Sequence, residues 1–234
     1  MDISYLLCMV PAFLLMLVTS WYVKSAYNRW LRVPVRSKVT GYQAAQHLIE
    51  RGGLQGVQIQ GIRGNLTDNY DPRQKTLNLS QGVAQSASVA SLAIAAHELG
   101  HALQDKENYL PLRFRSAIVP VVSIGSNLGW ILIIGGLMLN YAGMAFGTDL
   151  AWVGVIAFSG GAVFALATLP VELNASKRAR ALLADTGLIQ GEDEQRGVSN
   201  VLNAAALTYL ASLVAAFAQL LYYVSLVAGS GRRR

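Results

Sequence analysis

Four long apolar runs limit what this chain can fold into. Each run holds at least 20 residues without a charged side chain, which is enough for a helix to cross a bilayer core of ~30 Å. The runs are Ile3–Val23, Ile118–Leu139, Leu150–Leu169 and Ala204–Ala228. Only 14% of the residues are charged, against about 25% in a typical soluble protein. The sequence therefore predicts a mainly α, polytopic membrane protein with about four transmembrane helices, in contact with the lipid bilayer.

Basic residues predict how these helices are oriented. Residues 24–116 carry twelve Lys and Arg, and residues 172–203 carry four, whereas the 140–149 connection carries none. Because Lys and Arg are retained in the cytoplasm, we expect both polar segments there and the N-terminus outside. Four crossings would leave Arg232–Arg234 outside. Either the basic residues of the two polar segments decide the orientation despite these three arginines, or the last helix does not fully cross the membrane; we favour the former. The net charge of +6 then reflects topology, and we expect no nucleic-acid partner.

The same pattern predicts a division of the chain into five segments. In order they are a first transmembrane helix, a cytoplasmic portion, two further transmembrane helices, a cytoplasmic helix, and a last transmembrane helix with a basic tail. Their bounds are 1–23, 24–116, 117–171, 172–203 and 204–234. The first helix lacks a preceding basic residue and a small-x-small cleavage pattern, so we interpret it as an uncleaved anchor. The one cysteine, Cys8, lies in that run, which excludes a disulfide framework.

The first polar segment carries signals for a small α+β portion. Thr40–Arg51 predicts a short amphipathic helix that ends at Gly52-Gly53. Val57–Ile62 and Lys75–Leu79 alternate enough to be two short strands, and Asn69–Arg73 between them has the composition of a turn. We therefore expect a small hairpin, which either packs on the following helix or offers an edge strand to an extended peptide.

The second polar segment is predicted to be a separate helix and a loop. Leu150–Leu169 should end at Pro170, and Glu172–Leu183 should form a charged helix. Thr186–Asn200 is polar, and its acidic run, Glu192-Asp193-Glu194, is typical of a solvated loop.

Ser86–Asp105 contains the motif His97-Glu98-Leu99-Gly100-His101. Serines at the start of this stretch can cap a helix, and histidines four apart lie on one helical face, where both can bind one cation. Zinc is the usual partner of this pair, and Glu98 is placed to take a proton from water at the metal. The alternative is a buried helix whose two histidines only hydrogen-bond to backbone.

A catalytic zinc site usually has three protein ligands and an open position, so a further ligand is needed. His47 lies on the early helix, where a lone histidine is more often a surface residue. Asp105 lies eight residues, or ~12 Å of helix, beyond His97, which is too far for a shared ion. The third ligand should therefore come from another element.

Glu172 is the best candidate for that ligand. It follows the third apolar run, on the same side as the histidines by the charge count, and a cation would relieve the cost of a carboxylate beside an apolar span. The alternative is an ion pair with Lys177 or Arg178. Tyr70, Tyr109 and nearby arginines are candidates for stabilising an oxyanion, and the sequence does not select among them.

Several motifs together resemble the YugP-type zinc metallopeptidases of bacteria. They are AAHELGHALQ, DNYDPRQKTLNLS, SAIVP, TLPVELNASKRA and VLNAAALTYLAS, and the resemblance covers nearly the whole chain. It implies an integral protein of the bacterial inner membrane with a zinc centre on the cytoplasmic side, acting on protein or peptide substrates.

A looser likeness links the chain to membrane gluzincins of the HtpX kind. Carried across, it implies that His97, His101 and Glu172 are the zinc ligands and that Glu98 is the base. Those enzymes place an Asp four residues after the ligand Glu, a place that Ser176 takes here. The support of the ligands should therefore differ, with Ser176 and Asn174 as candidate hydrogen-bond partners.

These features predict a zinc-dependent metallopeptidase that cleaves membrane-associated or misfolded proteins at the cytoplasmic face. One alternative is a non-proteolytic membrane scaffold or partner subunit with a structural zinc site. Another is cleavage inside the bilayer, which we disfavour because Gln81, Gln85 and three serines make the run before His97 a poor spanning segment.

Overall fold

The computed structural model describes residues 3–231, and within them the chain is mainly helical. Four of its helices are long and apolar enough to cross a membrane, by length and composition. These helices are α1 (Ile3–Leu31), α5 (Leu110–Tyr141), α6 (Gly147–Thr186) and α7 (Gly191–Gly231). The remaining elements are α2 (Gly41–Arg51), β1 (Gln58–Ile62), β2 (Asn69–Asp71), β3 (Thr76–Ser80), α3 (Gln81–Gln85) and α4 (Val89–Lys106). The prediction of a mainly α chain with four long apolar helices is confirmed, while the expectation for Arg232–Arg234 lies outside the described residues.

Helix α6 does not end where the sequence predicted. Pro170 lies inside this 40-residue helix, so Glu172 sits on the same continuous helix as the third apolar run. The prediction of a break at Pro170 is therefore wrong, and long apolar helices are known to tolerate an internal proline.

Helix α7 absorbs the acidic run that was predicted to be a solvated loop. Glu192, Asp193 and Glu194 form its first turn, where the partial positive charge of the helix end favours acidic side chains. Glu194 is buried and accepts the backbone N–H groups of Arg36 at 2.8 Å and Gln190 at 2.6 Å. The loop prediction is therefore wrong, because these contacts satisfy the carboxylate without solvent.

The chain divides into two compact units. One comprises the described parts of 1–18, 114–169 and 209–234, and the other comprises 19–113 and 170–208. In the first unit, α5 and α6 meet at glycines spaced by seven on each helix, Gly129 and Gly136 against Gly147 and Gly154. A Cβ at Gly136 would lie 2.5 Å from the backbone nitrogen of Ala151 and 2.6 Å from the carbonyl oxygen of Gly147. Small residues of this kind let the backbones of membrane helices touch.

The second unit has its core around α4. Leu48, Leu77, Leu79, Leu92 and Leu99, from α2, β3 and α4, are fully buried and belong to one apolar cluster. Such burial of leucines supplies most of the stability of a small core. Side chains cap both helices of this core. The serine cap predicted for α4 is present, because the Ser88 hydroxyl accepts the Ser91 N–H at 3.2 Å, and Thr40 closes a capping box on α2 that was not predicted.

The sheet of this unit has the strand order β1-β3-β2. β1 pairs with β3 in parallel, with Gln58 opposite Thr76, and β2 pairs with β3 antiparallel, with Tyr70 opposite Leu77. The predicted hairpin between the first and last strands is therefore wrong, and the segment read as a turn supplies an edge strand. Alternation of side chains identifies a strand, but it says nothing about direction or neighbour.

Candidate metal centre

The contact between α4 and α6 is unusually close at Gly100. A Cβ at this position would clash with the backbone carbonyl of Ala175 on α6, whose carbon would lie only 3.0 Å away. A glycine inside a helix costs about 1 kcal/mol relative to alanine, so its presence here calls for a packing reason. The reason is that the two helix backbones touch, and this contact places Glu172, one turn before Ala175, beside the histidines.

Both histidines of α4 point the same ring nitrogen at one carboxylate oxygen. Glu172 Oε2 lies 3.3 Å from His97 Nε2 and 3.4 Å from His101 Nε2. Ligand atoms from all three residues lie within 4.8 Å of one another, and the three side chains are 12%, 13% and 3% exposed. The structure thus brings together the three residues that the sequence predicted as ligands; their role as ligands stays a prediction.

The residues weighed as alternatives have other contacts. Asp105 accepts the hydroxyl of Tyr70 at 2.7 Å and pairs with Lys75, so it is turned toward the sheet. Arg178 pairs with Glu107 at 2.7 Å, a partner other than the Glu172 that was considered for it.

The donor set of the cluster fits a zinc ion. With bonds of ~2.0–2.1 Å, tetrahedral zinc holds its ligand atoms ~3.3–3.4 Å apart, which matches the two distances from Glu172 Oε2 to the imidazole nitrogens. Two imidazoles and one carboxylate are also a known catalytic donor set, which leaves a fourth position for water or substrate. The cluster therefore suits a catalytic metal in both spacing and chemistry.

Glu98 lies beside this cluster and is held by the sheet. Its Oε2 accepts the backbone N–H of Tyr70, on the edge strand β2, at 3.1 Å. Burial raises the pKa of Glu98, and although the imidazoles of His97 and His101 oppose that rise, the net direction is upward. A raised pKa moves a carboxylate toward the range in which it exchanges protons well near neutral pH.

The second nitrogen of each histidine also has a partner. Ser176 Oγ lies 3.2 Å from His97 Nδ1, so the residue at the place of the gluzincin Asp does contact a predicted ligand. Gln104 Oε1 lies 3.0 Å from His101 Nδ1. Burial alone would lower the pKa of His101, but the contact with Glu172 and the charge of Glu98 outweigh it and raise that pKa.

Asn174 is linked to His101 through Gln104. Its Oδ1 accepts hydrogen bonds from Gln104 Nε2 at 2.9 Å and from Arg178 Nε at 2.7 Å. Sequence reasoning missed Gln104. Its signal was a glutamine three residues after His101, and therefore on the same helical face.

The tyrosines considered for oxyanion stabilisation are engaged elsewhere. The Tyr70 hydroxyl donates to Asp105, and burial together with this bond raises the pKa of Tyr70. The ring of Tyr109 lies 5.7 Å from the guanidinium of Arg178. What Tyr70 contributes at the site is its backbone N–H on Glu98.

Comparisons with known proteins agree with the resemblance drawn from the motifs. The sequence model of a family described as "Putative neutral zinc metallopeptidase" matches residues 5–228. The "Putative membrane protease YugP" of Bacillus subtilis (strain 168) is 39% identical over 202 residues, which cover 86% of this chain and 87% of that protein. No solved structure matches the chain. The chain therefore belongs to the family with the description "Putative neutral zinc metallopeptidase".

Proposed function

We propose that this protein is a membrane-embedded zinc metallopeptidase that hydrolyses peptide bonds of membrane-associated or misfolded proteins. The observation that carries the proposal is the convergence of His97, His101 and Glu172 on one point, with Glu98 beside it. Family membership and the four long apolar helices support the same reading.

In this mechanism His97, His101 and Glu172 hold the zinc ion, which when bound supplies a Lewis acid that polarises a carbonyl and acidifies water. Glu98 takes a proton from the attacking water while the water oxygen bonds to the carbonyl carbon. It then gives that proton to the leaving amine as the C–N bond breaks. The backbone N–H of Tyr70 keeps one oxygen of the Glu98 carboxylate in place while the proton moves.

The edge strand beside Glu98 is a candidate for substrate binding. Tyr70 pairs with Leu77 of β3 in register, yet its N–H points to Glu98 and not to β3, so it faces the outer edge of the sheet. In an antiparallel pair the carbonyl of a residue points to the same side as its N–H. An extended peptide that paired with this edge would therefore pass the Glu98 carboxylate.

Charge distribution supports a cytoplasmic site in the bacterial inner membrane. Residues 24–116 and 172–203 carry sixteen of the nineteen Lys and Arg residues, and both segments contribute to the candidate metal centre. Basic residues of this kind mark cytoplasmic segments. We retain the five-segment division of the chain as part of this proposal, with the helical continuity through Pro170 added.

The test is cleavage of an unfolded protein substrate by the purified, zinc-loaded full chain in lipid nanodiscs. Wild type should cleave it, and Glu98→Gln should lose about 100- to 10,000-fold in rate while keeping its zinc, because the substitution removes the proton acceptor but no ligand. Glu50→Gln, an exposed change on α2, is the matched control and should leave the rate unchanged.

Two results would contradict the proposal. Equal rates for wild type and Glu98→Gln would remove Glu98 from the chemistry. A wild-type protein that holds one zinc ion yet cleaves nothing would instead favour the scaffold with a structural zinc site.

A further inference from the structure

Gln104 is a fully buried amide that links the two helices of the metal centre. Its side chain is 0% exposed, and both ends have partners. Oε1 lies 3.0 Å from His101 Nδ1, whereas Nε2 donates to the backbone carbonyl of Val171 at 2.8 Å and to Asn174 Oδ1 at 2.9 Å. A polar group without solvent access must be satisfied in this way, and here every contact lies within or beside the metal centre.

The direction of this hydrogen-bond chain is fixed from its far end. Arg178 carries only donors, so the atom of Asn174 that lies 2.7 Å from its Nε must be the acceptor oxygen. The same oxygen then requires a donor from Gln104, and the Val171 carbonyl requires one as well. Both demands hold the NH2 end of Gln104 toward α6, which leaves its oxygen facing His101.

An amide oxygen can only accept, so the nitrogen of His101 that faces it must carry the proton. In a neutral imidazole with a proton on Nδ1, the lone pair is on Nε2. That nitrogen is the one aimed at Glu172 Oε2, 3.4 Å away. A lone pair facing a carboxylate oxygen is a favourable arrangement when a cation lies between them.

We propose that Gln104 is a positioning residue that holds His101 in the tautomer whose Nε2 binds the metal. The inference rests on the proposed metal centre, but not on the protein being a peptidase. The inference applies to His101 and not to His97. His97 faces the hydroxyl of Ser176 at 3.2 Å, and a hydroxyl both donates and accepts, so the tautomer of His97 is not fixed in the same way.

The experiment compares zinc affinity by chelator competition in the full-length protein and three variants. Gln104→Met keeps the volume of the side chain but removes the acceptor, and we expect zinc affinity to fall about 10- to 100-fold. Gln104→Glu keeps an acceptor toward His101 although it loses the amide donor toward α6, so its affinity should exceed that of the Met variant, which has neither group. Gln46→Met, the same change at an exposed position of α2, should bind zinc like wild type.

The order of the two Gln104 variants separates positioning from packing. If Gln104 only filled space, Met would serve at least as well as a buried Glu, so an affinity of Gln104→Met equal to or above that of Gln104→Glu would overturn the proposal. Thermal unfolding of the metal-free variants identifies any loss that comes from misfolding.

A second readout is nitrogen NMR of the three histidines in the zinc-loaded protein. In wild type the zinc-bound nitrogen of His101 should be Nε2, with Nδ1 protonated. In Gln104→Met a second population bound through Nδ1 should appear, while the signals of His97 stay unchanged. Identical His101 spectra in the two proteins would overturn the proposal. A wild type that binds zinc without cleaving peptides would contradict the proposed function and leave this inference standing.

Discussion

Among the helix contacts in the described part of the chain at which glycine brings backbones together, two differ in their surroundings. On α4, Gly100 lies against the backbone of Ala175, and polar side chains flank the contact. Between α5 and α6, Gly129 and Gly136 lie against Gly154 and Gly147, and the surroundings are apolar, with Ile133 and Ala151 fully buried.

The difference shows what turns a close contact into a site. At Gly100 the short distance between backbones lets candidate ligand atoms from both helices reach one point, and buried partners such as Gln104 and Ser176 orient the histidines. At the glycines between α5 and α6 the same closeness supplies only van der Waals packing. The close backbone contact brings the three residues of the candidate metal centre together, and their polar partners orient the side chains.

The largest expected effect is a loss of zinc affinity when one of the polar side chains near Gly100 is removed. Glu172→Ala removes the donor that α6 contributes, so zinc affinity should fall by more than about 100-fold, which exceeds the usual effect of losing a supporting residue. Chelator competition measures it. Glu192→Ala, an exposed change on α7, is the control, and an unchanged affinity in Glu172→Ala would show that another residue completes the donor set.

A smaller effect should come from Gly100→Ala, which leaves every donor in place. The added methyl group must push α4 away from Ala175, so we expect zinc affinity to fall about 10-fold through displaced ligands. Gly61→Ala is the matched control because a Cβ there meets nothing within 4 Å. Wild-type affinity in Gly100→Ala would mean that close backbone contact does not position Glu172.

The smallest effect on the metal centre should come from the other glycine contact. Gly136→Ala places a methyl group 2.5 Å from the backbone nitrogen of Ala151, and overpacking of this kind costs about 1–3 kcal/mol of unfolding free energy. Zinc affinity should not change. Gly135→Ala, one residue earlier, meets nothing within 4 Å and should be neutral in denaturant unfolding. A loss of zinc binding in Gly136→Ala would contradict the claim that the contact between α5 and α6 does not affect the candidate metal centre.

Sequence reasoning succeeded where spacing carries the information. Two histidines four apart share a helical face whatever surrounds them, and apolar runs of 20 residues or more have few other uses. Glu172 was chosen because a carboxylate beside an apolar span needs a partner, and the structure places it 3.3 Å from His97.

It failed where tertiary contacts override local preference. Pro170 and the acidic run at 192–194 suggest a break and a loop, yet Pro170 lies inside α6, and the acidic run forms the first turn of α7, where Glu194 accepts the backbone N–H of Gln190. The direction of β3 and the role of Gly100 depend on which element lies opposite, and a single sequence does not specify that. Gln104 was overlooked because the role of a single glutamine depends on its three hydrogen-bond partners, two of which lie on another helix.

The most direct test of the central claim is the position of zinc in the zinc-loaded full chain, located by anomalous diffraction at the zinc edge. We predict one peak at ~2.0–2.2 Å from His97 Nε2, His101 Nε2 and a carboxylate oxygen of Glu172, with a fourth position held by no protein atom. A zinc ion that binds away from Glu172, or that has a fourth protein ligand in place of the open position, would contradict the proposed peptidase.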